Sequence, residues 1–375
     1  MELDELREQI DRIDAEIVKL FEERMAVAED VAEYKLETGR SVLDRDREEQ
    51  KLEKVRSMTQ NPANIIGVTE LFRQLMAVSR KRQYSLMHEK GISGRPPFIP
   101  VDSLDAEGSR VVFQGVRGAY SEEAALTYFG QDSSPRPVRT FKDAMRSIDE
   151  GSADFAVLPI ENSSAGIVSA NYDLLMEFEN YIVAEQVIPI DHCLLGVDGA
   201  SLDTVRTVYS HPQALMQCAP FLEERPFWNQ VSLSNTAMAA KKVEEEQDIS
   251  GAAIAGHRAA DLYGLRILAD HISADDTNST RFIIVTNQRI FRKDAGKISV
   301  CFELPHRTGS LFHSLSHFIY NDLNMTKIES RPLPERPWEY RFFLDFDGNL
   351  NEAPVRNALS GLRAETKYMR ILGNY

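Results

Sequence analysis

The sequence predicts three folded modules in one chain: an all-α module, an α/β domain and an α+β domain with a ferredoxin-like order of elements. Its 375 residues are more than one ordinary domain holds. Apolar residues recur at helical spacing through 3–38, short apolar runs alternate with helical segments through 111–286, and 297–375 reads strand, helix, two strands, helix, strand. We therefore place the modules at 1–90, 110–288 and 296–375, with a linker at 91–109.

The N-terminal module begins with a helix predicted over residues 3–38, which contain no Gly or Pro and are followed by Gly39 as a C-terminal cap. A helix of this length spans roughly 50 Å, more than a small domain covers with its own chain. Two shorter helices are predicted over 45–58 and 64–87. One overlong helix beside two shorter ones indicates an intertwined helical dimer.

The central domain follows the Pro- and Gly-rich linker. Helices are predicted at 121–129 and 235–246, and the alternation with strands predicts an α/β domain with a largely parallel sheet. The predicted strands are 111–115, 155–159, 181–190, 205–210, 252–256 and 281–286.

The C-terminal domain opens with Ile298, Val300, Phe302 and Leu304, which alternate with polar or small residues and predict one half-buried strand. The βαββαβ order of the remaining elements is that of a ferredoxin-like fold.

Composition excludes several classes of function. A net charge of −15 disfavours nucleic acid or an anionic membrane as partner. No apolar stretch approaches the roughly 20 residues of a membrane span. Three cysteines without CxxC spacing indicate reduced thiols in a cytoplasmic protein. HExxH and GxGxxG patterns are absent, so we expect neither a metal nor a nicotinamide or other cofactor.

The helical module carries a cationic site. Arg24 and Lys35 are eleven positions apart and share a face of the first helix, whereas Arg7 lies about 100° from that face. A partner's helix could supply Arg7 to the pocket. Residues 3–84 resemble the all-helical chorismate mutase family, whose eight-residue pattern is met by Arg7, Arg24, Lys35, Asp44, Arg47, Glu48, Ser79 and Gln83.

This resemblance implies a pericyclic rearrangement of chorismate to prephenate. Arginine guanidinium groups suit the two carboxylates of chorismate. By resemblance, Lys35 and Gln83 donate to the ether oxygen, Glu48 binds the substrate hydroxyl, and Arg7 comes from the neighbouring subunit.

Polar clusters in the central domain are predicted where strands give way to helices, at 118–121, 161–164, 210–213 and 234–236. Each offers a capping side chain and free N–H groups to an anion. With Thr280-Arg281-Phe282 they indicate a cleft for carboxylates. FQGVRGAYSEEAA, LPIENSSAGIV, YSHPQALMQC, LSNTAMAA and DDTNSTRF resemble the signatures of the prephenate dehydratase family. That resemblance implies two α/β lobes, similar to periplasmic binding proteins, with a cleft between them.

The same resemblance implies roles for individual residues. Thr280 is expected to donate a hydrogen bond to the departing hydroxyl of prephenate, Asn162 and Ser163 to position the ring, and Arg281 to anchor a carboxylate. His211 and His257 are candidate general acids, although a structural role is the commoner one for such histidines. The remaining residues predicted to bind substrate are Tyr120, Ser121, His211 and Phe282.

Residues 297–375 resemble the ACT regulatory domain through two segments, one after the first strand and one in the second. The resemblance implies a phenylalanine site between two paired domains. The effector residues it implies are Gly309, Ser310, Leu311, Phe312, Glu329, Ser330 and Arg331.

Together these patterns predict a homo-oligomer, a dimer or a multiple of dimers, that converts chorismate to prephenate and prephenate to phenylpyruvate under feedback by phenylalanine. Feedback should act more on the dehydratase, because the mutase lies further along the chain and across the linker. One alternative is an arogenate dehydratase with a fused mutase. Another, of a different class, is a non-catalytic two-lobed amino-acid sensor with a helical dimerisation arm.

Overall fold

A computed structural model describes residues 2–90, 98–104, 106–333 and 336–375, without the side chain of His88. The helices are α1 (Leu3–Thr38), α2 (Arg45–Met58), α3 (Ile65–Glu89), α4 (Tyr120–Phe129), α5 (Phe141–Asp149), α6 (Ser169–Glu177), α7 (Pro212–Gln217), α8 (Ala219–Glu223), α9 (Thr236–Glu246), α10 (His257–Tyr263), α11 (Ser310–Ile319) and α12 (Ala353–Glu365).

The strands are β1 (Ile99–Val101), β2 (Val111–Gln114), β3 (Arg136–Val138), β4 (Phe155–Asn162), β5 (Gly166–Ile167), β6 (Tyr181–Pro189), β7 (Cys193–Gly196), β8 (Thr207–Ser210), β9 (Asn229–Ser232), β10 (Gly251–Ala255), β11 (Arg266–Ala269), β12 (Ser279–Thr286), β13 (Ile290–Arg292), β14 (Lys297–Glu303), β15 (Met325–Leu333), β16 (Arg336–Asp347) and β17 (Tyr368–Asn374). The chain packs as two compact units, Met1–Phe98 with Lys293–Ile371, and Ile99–Arg292 with Leu372–Tyr375.

The three N-terminal helices confirm the predicted all-α module. Helix α1 ends at Gly39, whose φ of 67° lies in the left-handed region that glycine adopts without strain. Helix α2 begins at Asp44, whose side chain accepts a hydrogen bond from the backbone N–H of Arg47 at 3.0 Å. Ala28 and Ala32 are the buried residues of α1 and let α3 approach closely.

The apolar stripe of α1 that predicted this helix does not pack on its own chain. Its members are exposed by 39–62% of their surface. They are Leu3, Leu6, Ile10, Ile13, Ile17, Leu20, Val27, Val31 and Tyr34. A row of this length exposed along one helix is the surface that soluble proteins normally cover.

The C-terminal part of the same unit has the predicted βαββαβ order, β14-α11-β15-β16-α12-β17. The strands lie in the order β15, β16, β14 and the first half of β17, which leaves β15 at an edge within the unit. The prediction of a half-buried β14 is wrong. Ser299, Cys301 and Glu303, on its other face, are buried as deeply as Val300. Ser299 bonds Asp345 at 2.5 Å, so its polar group is satisfied inside the protein.

Helix α12 packs directly against α3 of the helical module. The Asn357 side chain donates to the Ser85 hydroxyl at 2.8 Å, and the Lys81 ammonium bonds the carbonyl oxygen of Tyr320. Arg45, at the start of α2, donates to the carbonyl oxygen of Ala364 at 2.5 Å. The first and last parts of the sequence therefore form one packed body.

The second unit contains two lobes, each built on its own sheet, as predicted. In the first lobe the strands lie in the order β6, β12, β4, β2 and β3. Its core joins Val111 and Phe113 of β2 to Ala124 and Ala125 of α4. In the second lobe the order is β11, β7, β10, β8 and β9. Successive residues Cys193 and Leu194 of β7 enter separate cores on its two faces.

The prediction of a largely parallel sheet is wrong, because both sheets are mixed. Strand β2 is parallel to β3 and β4, and β8 is parallel to β9 and β10. Strand β12, however, is antiparallel to both β4 and β6. A helical crossover fixes parallel direction, but the whole second lobe separates β6 from β12, so no such rule applies to it.

The predicted linker is only partly described, because residues 91–97 and 105 lie outside the described residues. Its described part, residues 98–104 and 106–109, includes a buried side chain and a short strand. Phe98 is buried, and Ile99–Val101 form β1, parallel to Ile290–Arg292 of β13. Within the described ranges, no helix is long and apolar enough to cross a membrane.

Candidate active sites

The first candidate site lies among α1, α2 and α3. The Arg24 guanidinium donates to the Ser79 hydroxyl and, at 2.9 Å, to the carbonyl oxygen of Leu75. The Lys35 ammonium donates to the carbonyl oxygen of Val42 at 2.6 Å. Two predicted site cations are thus held by neutral oxygens, which fix their positions without themselves neutralising the positive charge.

Electrostatic coupling shows that further predicted residues lie near these cations. Burial lowers the pKa of Lys35, while the charges of Asp44 and Glu48 act in the opposite direction. Burial also lowers the pKa of Arg24, against the charge of Glu48. Gln83 is buried, and its Oε1 has no partner among the described residues. A buried amide oxygen without a partner is a group that a polar ligand would satisfy.

Two predicted residues are exposed at the surface of this module. Arg7 is largely exposed and pairs with Asp4 at 3.1 Å on the surface of α1. Arg47 is also exposed, on the first turn of α2. That a partner's helix supplies Arg7 to the pocket stays a prediction.

The second candidate site lies where β4, its following turn and β12 meet. The prediction that Glu161-Asn162-Ser163-Ser164 starts a helix is wrong. Asn162 Oδ1 instead accepts from the backbone N–H groups of Ser164 and Ala165 at 3.1 and 2.8 Å, closing a tight turn between β4 and β5. Asparagine favours such turns because its side chain mimics a backbone carbonyl.

This turn positions Thr280. Asn162 Nδ2 donates to Thr280 Oγ1 at 2.9 Å and also to the Asn278 side chain at 2.8 Å. The Ser163 hydroxyl accepts from the backbone N–H of Ser279 at 2.9 Å. Because Asn162 occupies the Thr280 oxygen as a donor, the Thr280 hydroxyl proton is free to point elsewhere.

A chain of hydrogen bonds extends from this turn to the second lobe. Gln217 Nε2 donates to the Ser164 hydroxyl at 2.7 Å, and its Oε1 lies 3.1 Å from His192 Nε2. The Tyr120 hydroxyl lies 3.1 Å from His192 Nδ1 and 2.6 Å from the carbonyl oxygen of Asp191, so these two acceptors share its single proton. With this orientation of the Gln217 amide, His192 carries its proton on Nε2 and accepts at Nδ1.

Sequence reasoning missed His192, Gln217 and Asn278. Burial lowers the pKa of His192 and raises that of Tyr120 well above its ordinary value. Asn278 is buried, and its Nδ2 has no partner among the described residues. Asn278 and Gln217 each lie inside a segment already singled out, DDTNSTRF and YSHPQALMQC, so their amides were the available signal.

The structure gives other predicted residues of this domain different surroundings. Arg281 bonds Glu161 at 3.0 Å and Glu185 at 3.2 Å, and strand alternation turns it away from Thr280. Phe282 is buried in the core of the first lobe. An arginine already held by two acids does not support the prediction of a carboxylate anchor, and a core phenylalanine does not support contact with substrate.

The helix-start clusters differ in detail from their prediction. His211 itself caps α7, with Nδ1 accepting from the Gln213 N–H at 3.2 Å, while Ser210 is buried and bonds the Ile254 carbonyl. Asn235 caps α9 as predicted. Helix α4 has no side-chain cap, and Ser121 lies buried in its first turn.

His257 belongs to a separate cluster. Its Nε2 lies 2.9 Å from Asp270, and the Cys193 thiol is 3.4 and 3.5 Å from its two ring nitrogens. A thiol that is about equally distant from both ring nitrogens lies off the lone-pair direction of each nitrogen. In this arrangement the thiol and the imidazole therefore do not coordinate one metal ion together. Burial and the Asp270 hydrogen bond raise the pKa of Cys193, which makes it a poor nucleophile.

The predicted effector residues lie on α11 and β15. Gly309 adopts φ 79° at the start of α11, and a Cβ there would approach the His313 ring within 2.9 Å. Ser310 donates to the Arg307 carbonyl at 2.9 Å, Leu311 follows it in the first turn of α11, and Phe312 is exposed. Glu329 and Arg331 are half-buried and Ser330 is exposed along the edge strand β15.

A helical pocket with oxygen-held cations, in a chain that also carries a two-lobed α/β domain with an oriented threonine hydroxyl, indicates an enzyme with two sites for small anions. A chorismate mutase type II model matches residues 6–84, and a prephenate dehydratase model matches residues 111–290.

Relatives match along almost the whole chain. The bifunctional chorismate mutase/prephenate dehydratase of Escherichia coli strain K12 is 32% identical over 99% of this chain and 95% of its own length. Arogenate dehydratase/prephenate dehydratase 1 of Arabidopsis thaliana is 38% identical over 78% of this chain and 79% of its own. This chain belongs to the bifunctional chorismate mutase/prephenate dehydratase family.

A solved structure supports the same assignment. Prephenate dehydratase from Arthrobacter aurescens, in complex with L-Phe, has a TM-score of 0.66 and 31% identity, covering 71% of this chain and 89% of its own.

Proposed function

We propose that this protein rearranges chorismate to prephenate in its helical module and converts prephenate to phenylpyruvate in its two-lobed domain, for phenylalanine biosynthesis. The observation that carries the proposal is the pairing of Asn162 with Thr280, in a chain whose N-terminal helices also join Arg24 to Ser79 and place Arg24 and Lys35 in the field of Glu48.

In the mutase site, binding energy replaces covalent chemistry. Arg24 and Arg47 hold the carboxylates of chorismate, with Arg7 supplied by the partner subunit and Asp44 and Ser79 fixing the cations. Lys35 and Gln83 donate to the ether oxygen as its bond breaks and negative charge builds there, and Glu48 accepts from the substrate hydroxyl. Fixed donors aimed at developing charge stabilise the transition state without reorganisation.

In the dehydratase site, the ring carboxylate of prephenate leaves as CO₂. The electrons of its C–C bond complete the aromatic ring, and the C4–O bond breaks. The departing hydroxyl takes up a proton and leaves as water. Thr280, fixed by Asn162, donates a hydrogen bond to that oxygen. Ser163 and Tyr120 position the ring, with Gln217 and His192 holding the two lobes around it. Backbone N–H groups near Ser121 and His211 receive the side-chain carboxylate.

The proposal extends to the regulation and the oligomeric assembly of the protein. The C-terminal residues 296–375 act as an ACT domain that binds phenylalanine between paired copies, using Gly309–Phe312 and the segment Glu329–Arg331. The exposed edge of β15 and the apolar stripe of α1 support pairing with a second copy. The assembly is a homodimer or a multiple of dimers, it acts in the cytoplasm, and it uses no metal or cofactor. The working modules are residues 1–90, 110–288 and 296–375, joined by 91–109.

Two other functions remain distinguishable by assay. An arogenate dehydratase would turn over arogenate faster than prephenate, and the Arabidopsis relative carries both names. A binding protein would turn over neither, and would leave the cationic pocket and Thr280 without a use. Turnover of chorismate, prephenate and arogenate should be measured on one purified sample. Absence of phenylpyruvate from prephenate, in folded protein, would refute the proposed dehydratase.

A further inference from the structure

Glu48, the proposed acceptor for the chorismate hydroxyl, is held by an arginine outside the eight predicted residues. Arg80 Nη1 contacts both carboxylate oxygens of Glu48, at 2.5 and 2.6 Å. The side chain of Arg80 is only 9% exposed. A charge-assisted pair at these distances, in which the arginine is largely shielded from water, holds the carboxylate in one orientation.

The other end of Arg80 is held by the C-terminal module. Its Nη2 donates to Glu365 Oε1 at 2.8 Å, and His317 Nε2 lies 3.2 Å from the same oxygen. Burial alone would raise the pKa of Glu365, but His317 and Arg80 keep it below its ordinary value. Glu365 is the last residue of α12, and His317 lies on α11. One buried arginine therefore joins a mutase residue to two helices of the last module.

This arrangement leaves Glu48 able to bind substrate. A carboxylate offers about four lone-pair positions, and Arg80 approaches with a single nitrogen. The remaining positions are available to a hydroxyl donor. A cavity of about 520 Å³ borders the cluster and is lined by Glu48, Arg80, Ser310, His313 and Glu365. The mutase helices and the start of α11 thus share one solvent space.

We propose that Arg80 is a positioning residue of the mutase site, and that Glu365 of the C-terminal module holds it in place. The inference rests on the proposed mutase function. Arg80 fixes the rotamer of Glu48 so that the free lone pairs face the chorismate hydroxyl, and Glu365 prevents Arg80 from swinging away. The C-terminal module is then part of the mutase machinery as well as a separate domain.

The test compares Arg80→Ala, Arg80→Lys and Glu365→Gln with the wild-type full-length enzyme. Arg82→Ala is the matched control, because Arg82 lies two residues along α3 and pairs with Glu29 on the surface. For each variant, kcat and KM for chorismate, kcat for prephenate and the thermal midpoint are measured. Arg80→Ala should lower the mutase kcat by about 10- to 100-fold, the effect of a misplaced catalytic group. KM for chorismate and prephenate turnover should stay near wild type.

Arg80→Lys should recover part of the mutase kcat, because lysine restores the charge but offers a point donor in place of the planar fork. Glu365→Gln should lower the mutase kcat by about fivefold, and Arg82→Ala should change nothing. A merely structural role would lower both activities together with the thermal midpoint. If Arg80→Ala does not fold, Arg80→Lys and Glu365→Gln decide.

Wild-type mutase activity in the folded Arg80 variants would overturn the positioning role. Wild-type mutase activity in Glu365→Gln would overturn the contribution of the C-terminal module. If the wild-type enzyme itself does not convert chorismate, the proposed function fails, and that result is distinct from either of these.

Discussion

Replacing Thr280 by valine isolates the proposed donor of the dehydratase reaction. Valine keeps the branched shape and removes the hydroxyl. Thr280 is buried, and Asn162 would lose one of its acceptors but keep Asn278 Oδ1 at 2.8 Å and the Ser279 carbonyl at 3.1 Å. Because these partners remain, we expect a folding cost within the ~0.5–1.5 kcal/mol of an ordinary hydrogen bond.

The cost to catalysis should be larger. Removing one preorganised donor to developing charge usually costs ~2.7–4 kcal/mol of transition-state stabilisation, or about 10²–10³ in kcat. The Thr280 hydroxyl is preorganised in this sense, because the Asn162 amide holds its oxygen at 2.9 Å. The loss should fall on kcat with little change in KM, since the bond strengthens only as the C4–O bond breaks.

Phenylpyruvate formation from prephenate, followed at saturating substrate, measures the effect. Thr280→Ser keeps the hydroxyl and should retain most of the activity, which separates loss of the donor from disturbance of β12. Chorismate consumption by the same preparations reports an intact mutase. A missing donor should leave about a hundredth of wild-type kcat or less. If folded Thr280→Val retains more than about a tenth of wild-type kcat, Thr280 is not that donor.

Three further predictions concern the two sites separately. Arg24→Ala or Lys35→Ala should abolish chorismate turnover and leave prephenate turnover nearly intact, and loss of both activities would refute separate sites. Mixed Arg7→Ala and Lys35→Ala subunits should recover part of the mutase activity after subunit exchange, because an exposed Arg7 supplied by the partner would complete one site of each mixed pair. No recovery in verified hetero-oligomers would exclude a site shared between subunits. Burial lowers the pKa of His192, so it stays neutral until the pH falls below the ordinary value of about 6.5. Protonation then removes the Nδ1 lone pair that faces Tyr120. It also destabilises the folded protein, because His192 binds this proton more readily in the unfolded chain. The acid-side fall in dehydratase rate should flatten in His192→Gln, and an unchanged pH profile would contradict this.

Local sequence rules predicted the helices and strands well where the structure of a segment depends mainly on its own residues. Gly39 ends α1 as glycine should, and the strands of the central domain begin near their apolar runs. The failures required knowledge of distant partners. Strand β12 is antiparallel to β4 and β6, and no local rule sets its direction because a whole lobe separates it from β6. The second face of β14 is buried although it carries Ser299 and Glu303.

The same distinction, between features set by local sequence and features set by distant partners, applies to the candidate sites. Family motifs located Thr280 and Asn162, and the structure brings them within 2.9 Å. Pattern alone could not show that Arg281 is occupied by two acids, since Glu161 and Glu185 lie 120 and 96 positions before it. Sequence patterns could not identify Arg80 as a residue of the mutase site for a similar reason. Its partner Glu365 lies 285 positions away, so no local spacing relates them.

The prediction that phenylalanine acts more on the dehydratase than on the mutase was based on separation along the chain, and it stays a prediction. The structure adds a physical connection to the mutase, because α12 packs against α3 and Glu365 holds Arg80 there. A typical coupling of ~1–3 kcal/mol changes an affinity by about 5- to 150-fold. If the phenylalanine-bound arrangement draws α12 away, Arg80 loses its anchor and Glu48 its orientation. Phenylalanine should then slow chorismate turnover as well, and this response should shrink in Glu365→Gln while inhibition of prephenate turnover persists. Chorismate turnover that ignores phenylalanine, at concentrations that fully inhibit the dehydratase, would show that Arg80 positions Glu48 without transmitting the effector signal.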